Sequence, residues 1–297
     1  VMMRSLDDVI KAYDVRGVVP DQFDADLAHD IGAAFVRVIG AAARDGGPGA
    51  VVIGHDMRPS GPDLVAAFAD GVTEQGCDVI RIGLCSTDGM YFASGTTGLP
   101  GAMFTASHNP AQYNGIKLCR AGASPVGQDT GLAAIKQMVI DGVPTFGGPS
   151  GYVRDEDMLV PYAEYLRHLV GIADIRPLKV VIDAGNGMAG YTAPAVLEWL
   201  PLQITELFFE LDGNFPNHEA NPIDPANMVD TQRAVLETGA DIGLAFDGDA
   251  DRCFVVDERG EIVNPSTLTA LIASLELAKS PGAPVIHNLI TSRAVPE

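Results

Sequence analysis

The sequence has 297 residues, 47% of them hydrophobic, enough to fill the cores of two domains and part of a third. Its formal net charge of −20 argues against nucleic acid and anionic membranes as partners, since both require a basic footprint. The start Val1-Met2-Met3-Arg4-Ser5 runs into Asp7 and Asp8 with no apolar signal core, and no apolar run nears the ~18 residues of a membrane span, so a cytoplasmic protein is expected.

In chain order, apolar runs that read as buried strands alternate with amphipathic stretches that read as helices, the pattern of an α/β protein. Residues 27–44 are predicted helical, 50–54 a strand, 63–75 a helix and 78–82 a strand. Residues 101–105 form a strand, Asn114-Gly115 reads as a turn, 116–119 as a short strand and 132–140 as a helix. The Gly- and Pro-rich stretch 142–151 marks a domain boundary. Beyond it, 159–170 reads as a helix, 179–183 as a strand followed by a Gly-rich loop and a short helix, and 203–210 as a strand. Residues 212–226 read as a structured loop, 230–238 as a helix, and 241–246 and 253–257 as strands around an acidic loop. A helix at 268–278 and a strand at 284–288 complete the pattern. The expected division is 1–150, 151–258 and 259–297.

A coarse repeat runs through this order. The strands at 50–54 and 179–183 each lead through a loop into a helix, and the strands at 101–105 and 241–246 each end on an unusual loop. A third copy is expected to begin at 268 and to stop before its next helix; a lone helix and strand cannot bury their apolar faces. The chain is therefore expected to be a fragment. The cysteines, Cys77, Cys85, Cys119 and Cys253, have no CxxC spacing and are expected to pack as small apolar residues in a reducing compartment.

Chemistry concentrates in the two unusual loops. Asp247-Gly248-Asp249-Ala250-Asp251-Arg252 places carboxylates at i, i+2 and i+4, which point to one side of an extended chain. Three hard oxygen donors favour Mg2+, with Ca2+ and Mn2+ as competitors. An EF-hand is excluded, because its sixth position needs Gly and here is Arg252, and because the flanks read as strands. Thr105-Ala106-Ser107-His108-Asn109-Pro110 offers a hydroxyl at a strand end. Without a GxSxG elbow it does not read as a hydrolase. A phosphorylated Ser107 would carry about −1.5 to −2 charge, which a cation on the acidic loop could compensate. Arg16, Arg58, Lys117, Arg120 and Arg252 fall near these loops and read as a phosphate-binding set. Gly185-Asn186-Gly187-Met188-Ala189-Gly190, with Glu210 beyond the next strand, also fits a dinucleotide fingerprint. That alternative, a nicotinamide-dependent oxidoreductase, leaves both unusual loops unexplained.

Taken together these motifs resemble the α-D-phosphohexomutase superfamily, and most closely its phosphomannomutase/phosphoglucomutase branch. Lys11-Ala12-Tyr13-Asp14-Val15-Arg16-Gly17, the run 54–60, the serine loop, Gly213-Asn214-Phe215-Pro216 and the acidic loop occur in the family's order. The resemblance implies tandem three-layer α/β/α domains with mixed sheets and with the C-terminal part missing. It implies interconversion of hexose 1-phosphate and hexose 6-phosphate, of mannose or glucose, through a phosphoserine and a 1,6-bisphosphate. Ser107 would carry the phosphoryl group and, with Asp247, Asp249 and Asp251, hold Mg2+. Lys117 would be the general acid/base and His108 a positioning group, while Arg16 and Arg252 orient phosphate. Tyr13 and Arg58 complete the expected substrate- and phosphate-binding set. Glucose or mannose 1,6-bisphosphate is the implied activator. The family's sugar-reading loop and its gripping loop for the other phosphate have no counterpart here, so little activity is expected of the chain alone.

Overall fold

The structure, a computed structural model, describes residues 6–42, 49–293 and 295–296. The first five residues and the last two of the helix predicted at 27–44 lie outside the described residues.

A mixed seven-stranded sheet organises the first part. Its elements are β1 (Val15–Val18), α1 (Ala25–Val38), β2 (Ala50–His55), α2 (Gly61–Glu74), β3 (Asp78–Leu84), α3 (Thr87–Thr97), β4 (Gly101–Phe104), β5 (Tyr113–Arg120), β6 (Ser124–Pro125), α4 (Leu132–Asp141) and β7 (Val153–Asp155). Strand order is β1-β5-β4-β2-β3-β7, with β6 added beside β5. β4, β2, β3 and β7 are parallel; β5 runs against both β4 and β1. β2 and β4 are apolar along their length because helices cover both faces. On one face, Ile31 and Phe35 of α1, Phe68 of α2 and Ile135 of α4 pack on Val51, Ile53 and Phe104. On the other, Met90 and Ala93 of α3 pack on Val52, Ile80 and Met103. Asp24 caps α1 by accepting from the Leu27 amide, 3.0 Å.

The second part holds α5 (Leu159–Val170), β8 (Leu178–Asp183), α6 (Ala189–Leu197), β9 (Leu202–Leu207), α7 (Val229–Thr238), β10 (Ile242–Phe246) and β11 (Cys253–Val256), followed by α8 (Pro265–Lys279). Its four strands lie in the order β11-β10-β8-β9, with β10, β8 and β9 parallel and β11 antiparallel. This repeats the sub-order β5-β4-β2-β3 of the first sheet. The repeat expected from the sequence is therefore a repeat of topology: strand, helix, strand, helix, strand, then an antiparallel return. In both copies the unusual loop joins the last parallel strand to the return strand.

Four expectations are corrected. Asn114-Gly115 is not a turn but lies inside β5, opposite β1. A Cβ on Gly115 would sit 2.1 Å from the Val15 carbonyl oxygen, so glycine serves close strand approach there. α3 fills residues for which no element was predicted. β7 pairs with β3 as an edge strand of the first sheet, held by Arg81 to Asp155 at 2.8 and 3.1 Å. Residues 284–288 form no strand; Ile286 is exposed, and no described strand lies beside it to take its backbone hydrogen bonds. Of the cysteines, Cys77, Cys85 and Cys119 are buried as expected, but Cys253 is exposed. Among the described residues no helix is long and apolar enough to cross a membrane.

Candidate phosphoryl-transfer and cation site

The two unusual loops leave the carboxyl ends of β4 and β10, where open α/β sheets present ligand sites. They meet. Ser107 Oγ donates to Asp247 Oδ2 at 3.0 Å, a bond between residues 140 apart in the chain. The approach is tight: a Cβ on Gly248 would stand 2.4 Å from the Ser107 carbonyl oxygen, so only glycine lets the loops touch.

Ser107 itself adopts φ 51°, a left-handed conformation uncommon outside glycine, and so needs bracing. Thr105 Oγ1 accepts from the Ser107 amide at 2.8 Å. Arg58, 1% exposed, supplies the rest. Its NH2 donates to the carbonyls of Ser107 (3.0 Å) and Asn109 (2.7 Å). NH1 donates to those of Pro110 and Tyr113, both at 2.8 Å, and Nε to Asp56 Oδ2 at 3.3 Å. All five guanidinium donors are thereby used. Arg58 lies behind the loop as its brace, which corrects its expected place in a phosphate-facing set. Phe215, from the structured loop of the second part, places its ring 5.3 Å from the Arg58 guanidinium carbon.

The carboxylates converge as their spacing predicts. Asp247, Asp249 and Asp251 each offer an oxygen, all within 4.8 Å of one another. Asp247 and Asp249 are fully buried. Lys117 Nζ bridges Asp249 Oδ2 (2.6 Å) and Asp251 Oδ2 (2.8 Å). Thr87 Oγ1 donates to Asp249 Oδ2 at 2.5 Å. Burial, then the charges of Asp249 and Asp251, push the Asp247 carboxyl up to about 8. Burial pushes Asp249 the same way, but the charge and hydrogen bond of Lys117 and the bond from Thr87 outweigh it and hold Asp249 below the usual range. Lys117 is driven up: burial opposes its charge, and the two carboxylates more than restore it. The Lys117 ammonium and the Arg252 guanidinium, its Nε 3.7 Å from Asp247 and Asp251, are two positive charges against three carboxylates. Asp249 Oδ1 is buried with no hydrogen-bond partner; the Ser107 hydroxyl is near enough to favour the Asp249 anion, but its bond goes to Asp247. An all-oxygen donor set, an orphaned carboxylate oxygen and a carboxyl forced toward its neutral form together fit a hard divalent cation.

Around this centre, Arg252 NH1 donates to His108 Nδ1 at 2.9 Å. Burial, then the charges of Arg252 and Arg16, hold the His108 imidazole below its ordinary value, so it is the neutral ring. His108 Nδ1 also lies 3.5 Å from Ser107 Oγ. Arg252 Nε stands 3.7 Å from both Asp247 and Asp251. Arg16 NH1 donates to Asn109 Oδ1 at 2.6 Å and pairs with Asp14, while its Nε is buried without a partner. Tyr13 stands in solvent, 84% exposed. Arg120 is not in the site; it lies at the far end of β5 and donates to the Thr130 carbonyl at 2.7 Å. Thr87 acts here outside every motif quoted above, while Phe215 and Gly248 lie inside two of those motifs but with roles that the motifs do not reveal. The signal for Thr87 was Ser86-Thr87-Asp88, a helix start, and Ser86 does cap α3.

The dinucleotide alternative does not survive the geometry. Gly187 is small because its Cβ would meet the Gly248 carbonyl oxygen at 2.7 Å, and the Met188 amide donates to that same oxygen at 2.9 Å. The glycine-rich loop is packed against the acidic loop, and Glu210 lies exposed beyond the end of β9.

Sequence models of phosphoglucomutase/phosphomannomutase α/β/α domain I and domain II match residues 7–142 and 161–260. The chain is 43% identical over 279 residues to a protein of Xanthomonas campestris named phosphohexose mutases, covering 94% of this chain and 61% of that one. It is 38% identical to the phosphomannomutase of Salmonella typhimurium, with the same shares covered. A crystal structure of a phosphoglucomutase/phosphomannomutase family protein from Burkholderia thailandensis superposes with a TM-score of 0.85 at 39% identity, covering 95% of this chain and 61% of that one. This chain belongs to the phosphoglucomutase/phosphomannomutase family of phosphohexomutases, and it spans about 61% of the length of the relatives it matches.

Proposed function

We propose that this chain supplies the phosphoryl-carrying and cation-holding portion of a mutase that interconverts hexose 1-phosphate and hexose 6-phosphate, of mannose or glucose. The observation that carries the reading is the 3.0 Å bond between Ser107 Oγ and Asp247, made by two loops in equivalent places of a repeated topology. Related proteins bearing the name phosphomannomutase support the sugar class.

In this reading Ser107 bears the phosphoryl group. The P–O bond to Ser107 breaks as one forms to a sugar hydroxyl; Lys117 Nζ gives a proton to Ser107 Oγ and takes up the one that the hydroxyl loses. A 1,6-bisphosphate results, and its other phosphoryl group returns to Ser107 after the sugar turns round. Asp247, Asp249 and Asp251, with Ser107, would hold Mg2+, which when bound neutralises charge on the transferring group. Lys117, charged before transfer, is the general acid/base: it acts as acid first, and as base only once its proton has gone. Neutral His108 and Arg252 set the position of Ser107 and its phosphate. Arg16, with an unused buried Nε–H, orients phosphate, and exposed Tyr13 meets substrate. Glucose or mannose 1,6-bisphosphate primes Ser107, and the cytoplasm is the expected compartment. We place the division between the two units after β7 rather than at residue 150, and a third unit from about residue 259.

Intact mass after incubation with glucose 1,6-bisphosphate and Mg2+ tests the proposal. Uptake of one phosphoryl group, abolished in Ser107→Ala, is expected. Equal uptake by the alanine variant refutes the assignment.

A further inference from the structure

We propose that Thr87 is a positioning residue that sets the Asp249 carboxylate for the cation, so that the helix covering the first sheet fixes a ligand belonging to the second. The inference rests on the cation reading above and adds a residue to it.

Thr87 makes two bonds to one partner. Its hydroxyl donates to Asp249 Oδ2 at 2.5 Å, and its amide donates to the Asp249 carbonyl oxygen at 3.1 Å. Backbone and side chain of Asp249 are thus held by a single residue. The consequence is directional. Oδ2 takes both the Thr87 hydroxyl and Lys117, at 2.6 Å, which leaves Oδ1 buried and without a partner beside Asp247 and Asp251. A carboxylate free to rotate would share those donors between its oxygens.

Thr87 suits the task. It is 1% exposed, and its β-branched side chain has only two favoured χ1 states in a helix, so the hydroxyl has few directions open to it. Its backbone is tied down: Thr87 opens α3, whose cap Ser86 accepts from the Gly89 amide at 3.2 Å. The same helix end presents its positive pole to Asp249 and favours the anion. Groups that orient metal ligands from outside typically change metal affinity about 10- to 100-fold when removed.

The test is titration of the whole chain with Mn2+, followed by loss of the free-ion paramagnetic resonance signal. Thermal melting checks that each variant is folded. Thr87→Val keeps the shape and removes the donor, and is expected to weaken Mn2+ binding about tenfold. Thr87→Ser restores the donor and should bind within about threefold of the parent, the loss reflecting a freer χ1. If Thr87→Val does not fold, Thr87→Ala removes the same donor with less volume and carries the same expectation. Binding by the valine or alanine variant equal to the parent overturns the proposal, as does a serine variant no better than valine. Asp249→Asn separates the two readings. A parent that does not bind Mn2+, or binding that survives Asp249→Asn, overturns the cation reading and this inference with it.

Discussion

The loop after β4 and the loop after β10 occupy the same place in two copies of one topology, yet they are built in opposite ways. The serine loop is braced from within its own unit: five donors of one buried arginine hold the carbonyls of Ser107, Asn109 and Pro110 in the loop, that of Tyr113 at the start of β5, and Asp56. The acidic loop's backbone is tied within its own unit, by Met188 to Gly248 and by Arg252 to Asp247, but its carboxylates are held mainly from outside, by Thr87, Lys117 and Ser107 of the first unit. A hydroxyl that must stand in a left-handed backbone needs a rigid local scaffold. Three carboxylates that repel one another need positive charge and donors, and the neighbouring unit provides them. The second unit's site is thus incomplete without the first.

Breaking the internal brace has the largest expected effect. Arg58→Met leaves Asp56 buried without its partner and strips four carbonyls of their donor. A loss of about 3–5 kcal/mol in urea unfolding is expected. A loss under about 1 kcal/mol would show that the serine loop is held by other means. Gly248→Ala probes the contact between the loops. Its Cβ would collide with the Ser107 carbonyl, so overpacking of about 1–3 kcal/mol and a weakened Mn2+ affinity should appear together in melting and titration. Unchanged metal affinity would show that the acidic loop does not depend on its seat against Ser107.

The smallest effect is a pH slope confined to the second unit. His218 Nε2 lies 2.9 Å from Asp183 Oδ2 and Nδ1 lies 2.8 Å from the Glu219 carbonyl, with Asp230 of α7 and the Phe208 ring nearby. Burial works to lower its affinity for a proton, but the bond and charge of Asp183 outweigh it and raise His218 above 6.5. A group raised in the folded state stabilises fully below its unfolded value, and the gain is lost as pH rises through the folded one. His218→Gln should therefore remove a decline in melting temperature above pH 6.5, worth under about 1 kcal/mol for a partly solvated pair. A variant whose melting curve keeps the parent's pH slope would place the titration elsewhere.

Much of the site was legible in the residues. The period-2 spacing of Asp247, Asp249 and Asp251 foretold their convergence, because an extended chain sends alternate side chains one way. Strand runs such as 50–54 and 179–183 were legible because a strand buried on both faces must be apolar throughout. α3 was not, since Thr87-Asp88-Gly89-Met90 opens with poor helix formers and its stability comes from packing Met90 and Ala93 on the sheet. Arg58 lies near the serine loop, as its place in the sequence suggests, but all its donors turn to Asp56 and to neighbouring carbonyls. Sequence shows a charge; it does not show which acceptors surround it.

The linear order of residues thus determined two things by itself: the alternation that makes an α/β repeat, and which loops hold a hydroxyl and carboxylates. Only the tertiary structure decided that Ser107 meets Asp247 across 140 positions, that Asn114-Gly115 runs straight through a strand, and that Thr87 grips Asp249. Local periodicity is written along the chain. Contacts between distant segments depend on how two sheets pack, and that is settled by shape and desolvation over the whole molecule.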